Sequence, residues 1–266
     1  MKLLNYINKN VEYIIFFVLL TILAILILNK SLESFFNEQL GINRLDAIIY
    51  INLENRSDRK DFLMKDLEKL NTNMSKVHKV SGVFIPKNGH KGCIQSHILA
   101  LNMIKLNKWK RVLILEDDAE LDMHPDIVND LLNKTMDTLD EKHSKWNVIM
   151  LGTANKVLDD KFNSIPITVA TQDGATQENL NIQKLKTATT SSAYIVKDTY
   201  VDNILELFNT CNDNMQHKKL SIDGYEIWAL DQKWAELQIK DNWFVLDKDP
   251  IKQRAVWSTI MRESHS

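Results

Sequence analysis

Three consecutive carboxylates, Glu116, Asp117 and Asp118, follow directly on the apolar run Arg111 to Leu115 (RVLIL). Clustered carboxylates repel one another and recruit a cation, and hard oxygen ligands suit Mg2+ or Mn2+, which bridge phosphate oxygens. The chemistry this pattern points to is the binding of a metal-bound diphosphate. The competing reading is a solvated turn ahead of a helix start, where acidic residues are also favoured and where Pro125 soon follows.

Chemistry at that point needs a strand to hold it. RVLIL reads as a buried strand, and in open α/β sheets ligands bind beyond the carboxyl ends of strands, where the three acids would lie. Leu45 to Leu53 (LDAIIYINL), Val77 to Val80 and Val148 to Leu151 read as further strands. Between them, Ser57 to Leu70, Gly92 to Leu106 and Pro125 to Leu139 carry helical patterns. This alternation predicts an α/β domain with a mostly parallel central sheet covered on both faces. In the second half, Ser192 to Val196 and Trp243 to Leu246 read as strands, and Asp198 to Phe208 and Gly224 to Leu237 as helices. Residues 152–187, rich in Thr, Asn, Gln and Asp, read as a long loop or a small hairpin.

Composition narrows the function classes. The 266 residues are 44% hydrophobic and 26% charged, an ordinary globular mixture. With 33 basic and 35 acidic residues there is no basic footprint of the kind nucleic acid requires, and none is expected as a partner. Cys93 and Cys211 give no disulfide framework, and without a Cys-x-x-Cys pair or a Cys/His cluster no structural zinc site is expected.

The average hides Tyr13 to Leu28 (YIIFFVLLTILAILIL), uncharged and apolar except for Thr21. This run predicts one N-terminal transmembrane helix, with residues 1–12 as a cytoplasmic tail, 13–29 as the anchor, 30–44 as a stem and 45–262 as the working domain. A cleaved signal peptide is the alternative, though no small-x-small site follows. Lys2, Lys9 and the free N-terminus before the run favour a cytoplasmic N-terminus and a lumenal or extracytoplasmic domain, as a single-pass protein. Asn-x-Ser/Thr sequons at Asn29, Asn55, Asn73 and Asn133 would be usable there. Three of the basic and one of the acidic residues lie in the first thirty, leaving a net charge of −4 on the remainder.

YINLENRSDRK at Tyr50 to Lys60, GCIQSH at Gly92 to His97 and LILEDDA at Leu113 to Ala119 occur in order, followed by WNVIMLG, TTSSAYIV and DPIKQRAVWSTI. Together they span residues 46–260, and the series resembles family 25 glycosyltransferases, the lipooligosaccharide and collagen β-galactosyltransferase group. The resemblance implies a GT-A-type nucleotide-binding sandwich. It implies that Asp118, with Glu116 or Asp117, holds Mn2+ (or Mg2+) on the donor diphosphate, and that Glu116 and Asp117 contact the donor. Asn52, Leu53, Arg56 and Arg59 match the first motif, where the nucleotide is expected, and an arginine fork there would pair with phosphate. A solvated helix start is the other reading of Arg59. Ser96 and His97 match the second motif as donor contacts, while His90 and Lys91 depart from the Glu and aliphatic residue common before Gly-Cys.

Cys93 and His97 also read as a thiol–imidazole pair on one helix face, but no third residue orients them, and packing is the alternative for Cys93. The resemblance further implies an inverting transfer in which a carboxylate takes the acceptor's proton, with Asp231 the candidate base and Asp223 next. Decoration of a helix is the alternative for Asp231. Expected partners are a nucleotide-sugar donor, UDP-galactose or UDP-glucose, and a glycan, lipid-linked saccharide or protein acceptor, besides the membrane. Two other classes stay open: a metal-dependent phosphohydrolase using the same acids, and a non-catalytic sugar-binding or scaffold protein. Trp228, Trp234, Trp243 and Trp257 read as core, and Gln253 and Ser258 echo a terminal pattern of the family.

Overall fold

The computed structural model describes residues 2–38, 41–86, 88–215, 221–222 and 225–254. The chain divides into two compact units, Met1–Leu40 and Gly41–Ser266.

The first unit is one helix, α1 (Lys2–Glu38), which runs unbroken across the boundaries expected between tail, anchor and stem. Its apolar side chains from Ile15 to Leu20 and from Ile22 to Leu28 are exposed. The expected membrane span is corrected here: among the described residues no helix is long and apolar enough to cross a membrane. The physical shortfall is length. The uncharged run of sixteen residues rises about 24 Å, against a hydrocarbon core of about 30 Å.

The second unit is built on a seven-stranded sheet comprising β1 (Ala47–Asn52), β2 (Val77–Ser81), β3 (Arg111–Glu116), β5 (Val148–Leu158), β6 (Ile165–Ala170), β7 (Gln177–Lys197) and β10 (Trp243–Leu246), in the order β10-β5-β7-β3-β1-β2 with β6 beside β7. β1 is parallel to β2 and β3, and β10 to β5, whereas β7 is antiparallel to every strand it meets. The sheet is therefore mostly parallel, with β7 alone reversed. Helices α2 (Ser57–Lys69), α3 (Gly89–Asn107), α4 (Pro125–Lys142) and α5 (Asp198–Asn214) cover it.

Every residue of β1 is buried, because both faces of the strand are covered. Ile48 and Tyr50 pack with Leu63, Leu67 and Leu131 on one side. Ala47, Ile49 and Ile51 pack with Ile94, Leu101 and Ile204 on the other. The polar 152–187 stretch resolves into the end of β5, β6 and the first half of β7, a hairpin whose strands alternate buried and exposed positions.

Two short ribbons complete the unit. β4 (Ala119–Leu121) pairs with β11 (Ile251–Gln253), which sets Gln253 opposite Ala119. β8 (Ser221–Ile222) pairs with β9 (Tyr225–Glu226). The helix expected over 224–237 is instead β9 followed by α6 (Leu230–Lys233) and α7 (Ala235–Lys240). Trp234 sits at the break between the two helices, fully buried, with its indole N–H donating to Ala188 O at 2.9 Å. Trp243 packs edge-on against it at 5.3 Å, so both are core as expected. Trp257 and Ser258 lie outside the described residues.

Candidate functional site

β1 and β3 are parallel neighbours, with Ile51 beside Glu116, so the ends of both strands open on the same side of the sheet. The loop after β2, the start of α3 and Gln253 close the cleft there. Leu53, Arg59, Ser96, His97, Glu116, Asp117 and Asp118 line it together. Val83, Phe84 and Ile85 give it an apolar wall.

The three carboxylates meet different environments. Asp117 is neutralised within the chain: Arg59 Nη1 donates to its Oδ1 at 2.8 Å, and Asn52 Nδ2 to its Oδ2 at 2.9 Å. Asn52 also donates to the backbone carbonyl of Arg56 at 2.9 Å, which ties the turn after β1 to the acidic cluster. Glu116 Oε1 accepts from Ser191 Oγ and lies 3.3 Å from His97 Nε2. Burial alone would raise the Glu116 carboxyl, but His97, Ser191 and Arg59 together hold it below its ordinary value.

Asp118 is the least compensated. Its Oδ2 receives Gln253 Nε2 at 3.2 Å and lies 3.4 Å from Arg59 Nη1. Its Oδ1 is buried with no hydrogen-bond partner among the described residues. Burial, reinforced by the charge of Glu116, pushes its carboxyl up to about 7. An orphaned carboxylate oxygen beside two further acids is a donor set that fits a hard divalent cation.

The other expected residues fall around this centre. Arg56 forks onto Asp58 at 3.0 Å through both Nε and Nη2 and is not one of the residues that line the cleft. Ser96 Oγ donates to Gly92 O at 2.7 Å and accepts from Val83 N at 2.8 Å, so it fastens the apolar loop to α3. Gly92 is required at that junction, because a Cβ there would stand 2.3 Å from Val83 O. His97 is fully buried, with Nδ1 2.9 Å from Tyr194 Oη.

Asp231, at the start of α6, accepts from Thr190 N at 3.1 Å through Oδ2. Burial raises its carboxyl, and the Glu116 charge adds to the rise. Thr190 adopts a left-handed φ of 75°, and Ser191, next to it, reaches Glu116. This distortion of β7 links the candidate base to the acidic cluster. Asp223 lies outside the described residues.

Sequence reasoning gave no role to Ser191, Tyr194 or the Val83–Ile85 wall. The TTSSAYIV motif was the available signal for Ser191 and Tyr194, and a short apolar run after a strand gave none for the loop.

Comparison with known proteins yields a family match. The model of Glycosyltransferase family 25 (LPS biosynthesis protein) matches residues 46–223. The match includes Asn52, Arg59, His97, the three acids and Ser191, and it ends before Asp231 and Gln253. No curated protein matches the chain. Among solved structures, a glycosyltransferase involved in the glycosylation of the major capsid of PBCV-1 is 10% identical, with TM-score 0.41, over 82% of this chain and 96% of that one. The glycosyltransferase GlyE of Streptococcus pneumoniae TIGR4 is 10% identical, with TM-score 0.39, over 76% of this chain and 45% of that one. An apo UDP-glucose pyrophosphorylase is 10% identical, with TM-score 0.38, over 78% of this chain and 74% of that one.

Proposed function

This chain belongs to glycosyltransferase family 25 and is a glycosyltransferase; from that premise we propose that it moves a hexose, galactose or glucose, from a UDP-sugar to a hydroxyl of a glycan, lipid-linked saccharide or protein, with inversion, on a GT-A-type fold. The observation that carries the reading is the acidic cluster at the carboxyl end of β3, where Asp117 is already paired and Asp118 keeps a buried oxygen without a partner among the described residues.

Asp118 and Glu116 are the residues that would hold Mn2+ or Mg2+. A cation bound there offsets negative charge on the leaving diphosphate. Arg59, fixed by Asp117, adds positive charge to the same wall of the cleft, and Asn52 holds Asp117 in register. Leu53 with the Val83–Ile85 wall offers apolar surface to the nucleoside. Asp231 takes the acceptor hydroxyl's proton. Its burial suits that work, since a raised carboxyl is a stronger base, and Thr190 N–H fixes one of its oxygens. Asp223 is the alternative base.

For the first unit we propose attachment to a bilayer through the exposed apolar side chains of α1. Co-sedimentation of the chain with lipid vesicles is the expected result, and recovery in the supernatant counts against attachment.

The transfer reading is tested by incubating the full chain with UDP-galactose or UDP-glucose, Mn2+ and acceptors of the three classes, and reading the product's anomeric configuration by NMR. A β-linked product from an α-linked donor is expected. An α-linked product removes the inverting mechanism, and absence of transfer with any UDP-hexose removes the donor assignment.

A further inference from the structure

Cys93, His97 and Glu116 converge on the inner wall of the cleft, with one ligand atom from each lying within 4.8 Å of the others. The first two lie one helical turn apart on α3, and the third comes from the end of β3. A thiol, an imidazole and one carboxylate form a softer donor set than the oxygens of Asp118 and its neighbours. Three protein ligands of these types, with one position left open, are a pattern in which Zn2+ is bound.

We propose that this trio is a second cation site, selective for borderline-soft divalent ions such as Zn2+ and Cd2+, and that it shares Glu116 with the donor site. Zn–S bonds of about 2.3 Å and Zn–N bonds of about 2.0 Å place tetrahedral ligands roughly 3.5 Å apart, so metal binding would draw the three side chains slightly together. His97 Nε2 and Glu116 Oε1 are already 3.3 Å apart.

The surroundings supply what a bound imidazole needs. To ligate through Nε2, His97 must carry its proton on Nδ1, and Nδ1 faces Tyr194 Oη at 2.9 Å. A phenol both donates and accepts, so Tyr194 serves the metal-free tautomer as donor and the metal-bound tautomer as acceptor. Burial and the negative charges of Glu116, Asp231 and Asp118 push the Cys93 thiol up, and a bound cation would offset those charges as it displaces the thiol proton. All three ligands border the cleft, and Cys93 and Glu116 are partly exposed, which gives an ion a way in.

Sharing Glu116 makes the two sites antagonists. A soft ion seated on the trio withdraws Glu116 from the donor side, so Zn2+ is an inhibitor where Mn2+ supports transfer. The binding half of the inference stands apart from the transfer reading, because it is read without donor or acceptor.

The test is titration of the reduced full chain with Cd2+, following the ultraviolet cadmium–thiolate absorption band. One equivalent is expected to saturate the band in the wild type. The band should be lost in Cys93→Ser, weakened at least tenfold in affinity in His97→Gln, and unchanged in Cys211→Ser, with circular dichroism confirming the fold of each variant. No band in the wild type, a band that survives Cys93→Ser, or a band that disappears with Cys211 instead would overturn the proposal.

Discussion

The two walls of the cleft handle charge in opposite ways. On the Arg59 side, Asp117 is buried but complete, with one oxygen on a guanidinium and the other on the Asn52 amide. On the Gln253 side, Asp118 is equally buried and carries an oxygen with no partner among the described residues. A chain that satisfies both oxygens of one carboxylate and leaves one oxygen of its neighbour without a partner among the described residues separates two tasks. Asp117 fixes the geometry of the cluster, and Asp118 is the carboxylate proposed to meet a cation.

The sharpest way to break this contrast is at the base. Asp231→Asn keeps the side-chain oxygen that Thr190 N–H needs and removes the proton acceptor, so turnover should fall by about 10²–10⁴ with the melting temperature little changed. Turnover within a few-fold of wild type would pass the role to another carboxylate.

Next in size is Arg59→Ala, which leaves Asp117 buried without its cation. Breaking a buried pair in this way costs about 3–5 kcal/mol, readable as a lowered urea midpoint. A loss below about 1 kcal/mol would mean that Asn52 alone suffices and that the two walls are alike.

Asp118 should respond in the opposite sense. Its carboxyl binds a proton up to about 7 in the fold, against an ordinary 3.8. The folded state therefore holds more protons than the unfolded chain between these values, and metal-free stability falls as pH rises through that window, then levels off above it. Asp118→Asn removes the effect and should stabilise the metal-free protein at pH 8 by on the order of 3 kcal/mol, with little change at pH 4. Thermal melts of both proteins across this range, in chelator, check the sign.

The smallest effect is expected at Thr190. The left-handed backbone costs a non-glycine residue on the order of 1 kcal/mol, which Thr190→Gly relieves, while glycine's extra chain entropy offsets about the same amount. Stability should move by less than about 1 kcal/mol and transfer should persist, because the contact to Asp231 is a backbone N–H. A large loss of transfer would show that the Thr190 side chain, and not its conformation, serves the site.

The same division marks what was legible in the sequence. β1, β3 and the acids after them could be read directly, because a strand buried on both faces must be continuously apolar and an abrupt charge cluster at its end has no packing explanation. Arg59 and Asn52 lie close to that strand in the chain and came with it. Ser191 did not: it reaches Glu116 across 75 positions, and such a contact leaves no local periodicity. Gln253 was marked only through the family's terminal pattern, since its contact with Asp118 spans 135 positions. The reversal of β7 was hidden for a similar reason: its Thr- and Asn-rich alternation suits a hairpin strand and a polar loop equally. The membrane span was expected from apolarity, but a run of sixteen residues is short for a bilayer core. Arg59 also settles one open choice, since it is a buried partner of Asp117 and not a solvated helix start.

The central claim is that the incomplete carboxylate works with a cation in glycosyl transfer. Its most direct test measures UDP release from UDP-hexose in the presence of acceptor, for wild type and Asp118→Asn side by side, with Mn2+ and with chelator. The account predicts release by the wild type with Mn2+, and a loss of at least about a thousandfold both on chelation and in the variant. Equal release by Asp118→Asn, or release indifferent to chelator, would contradict it.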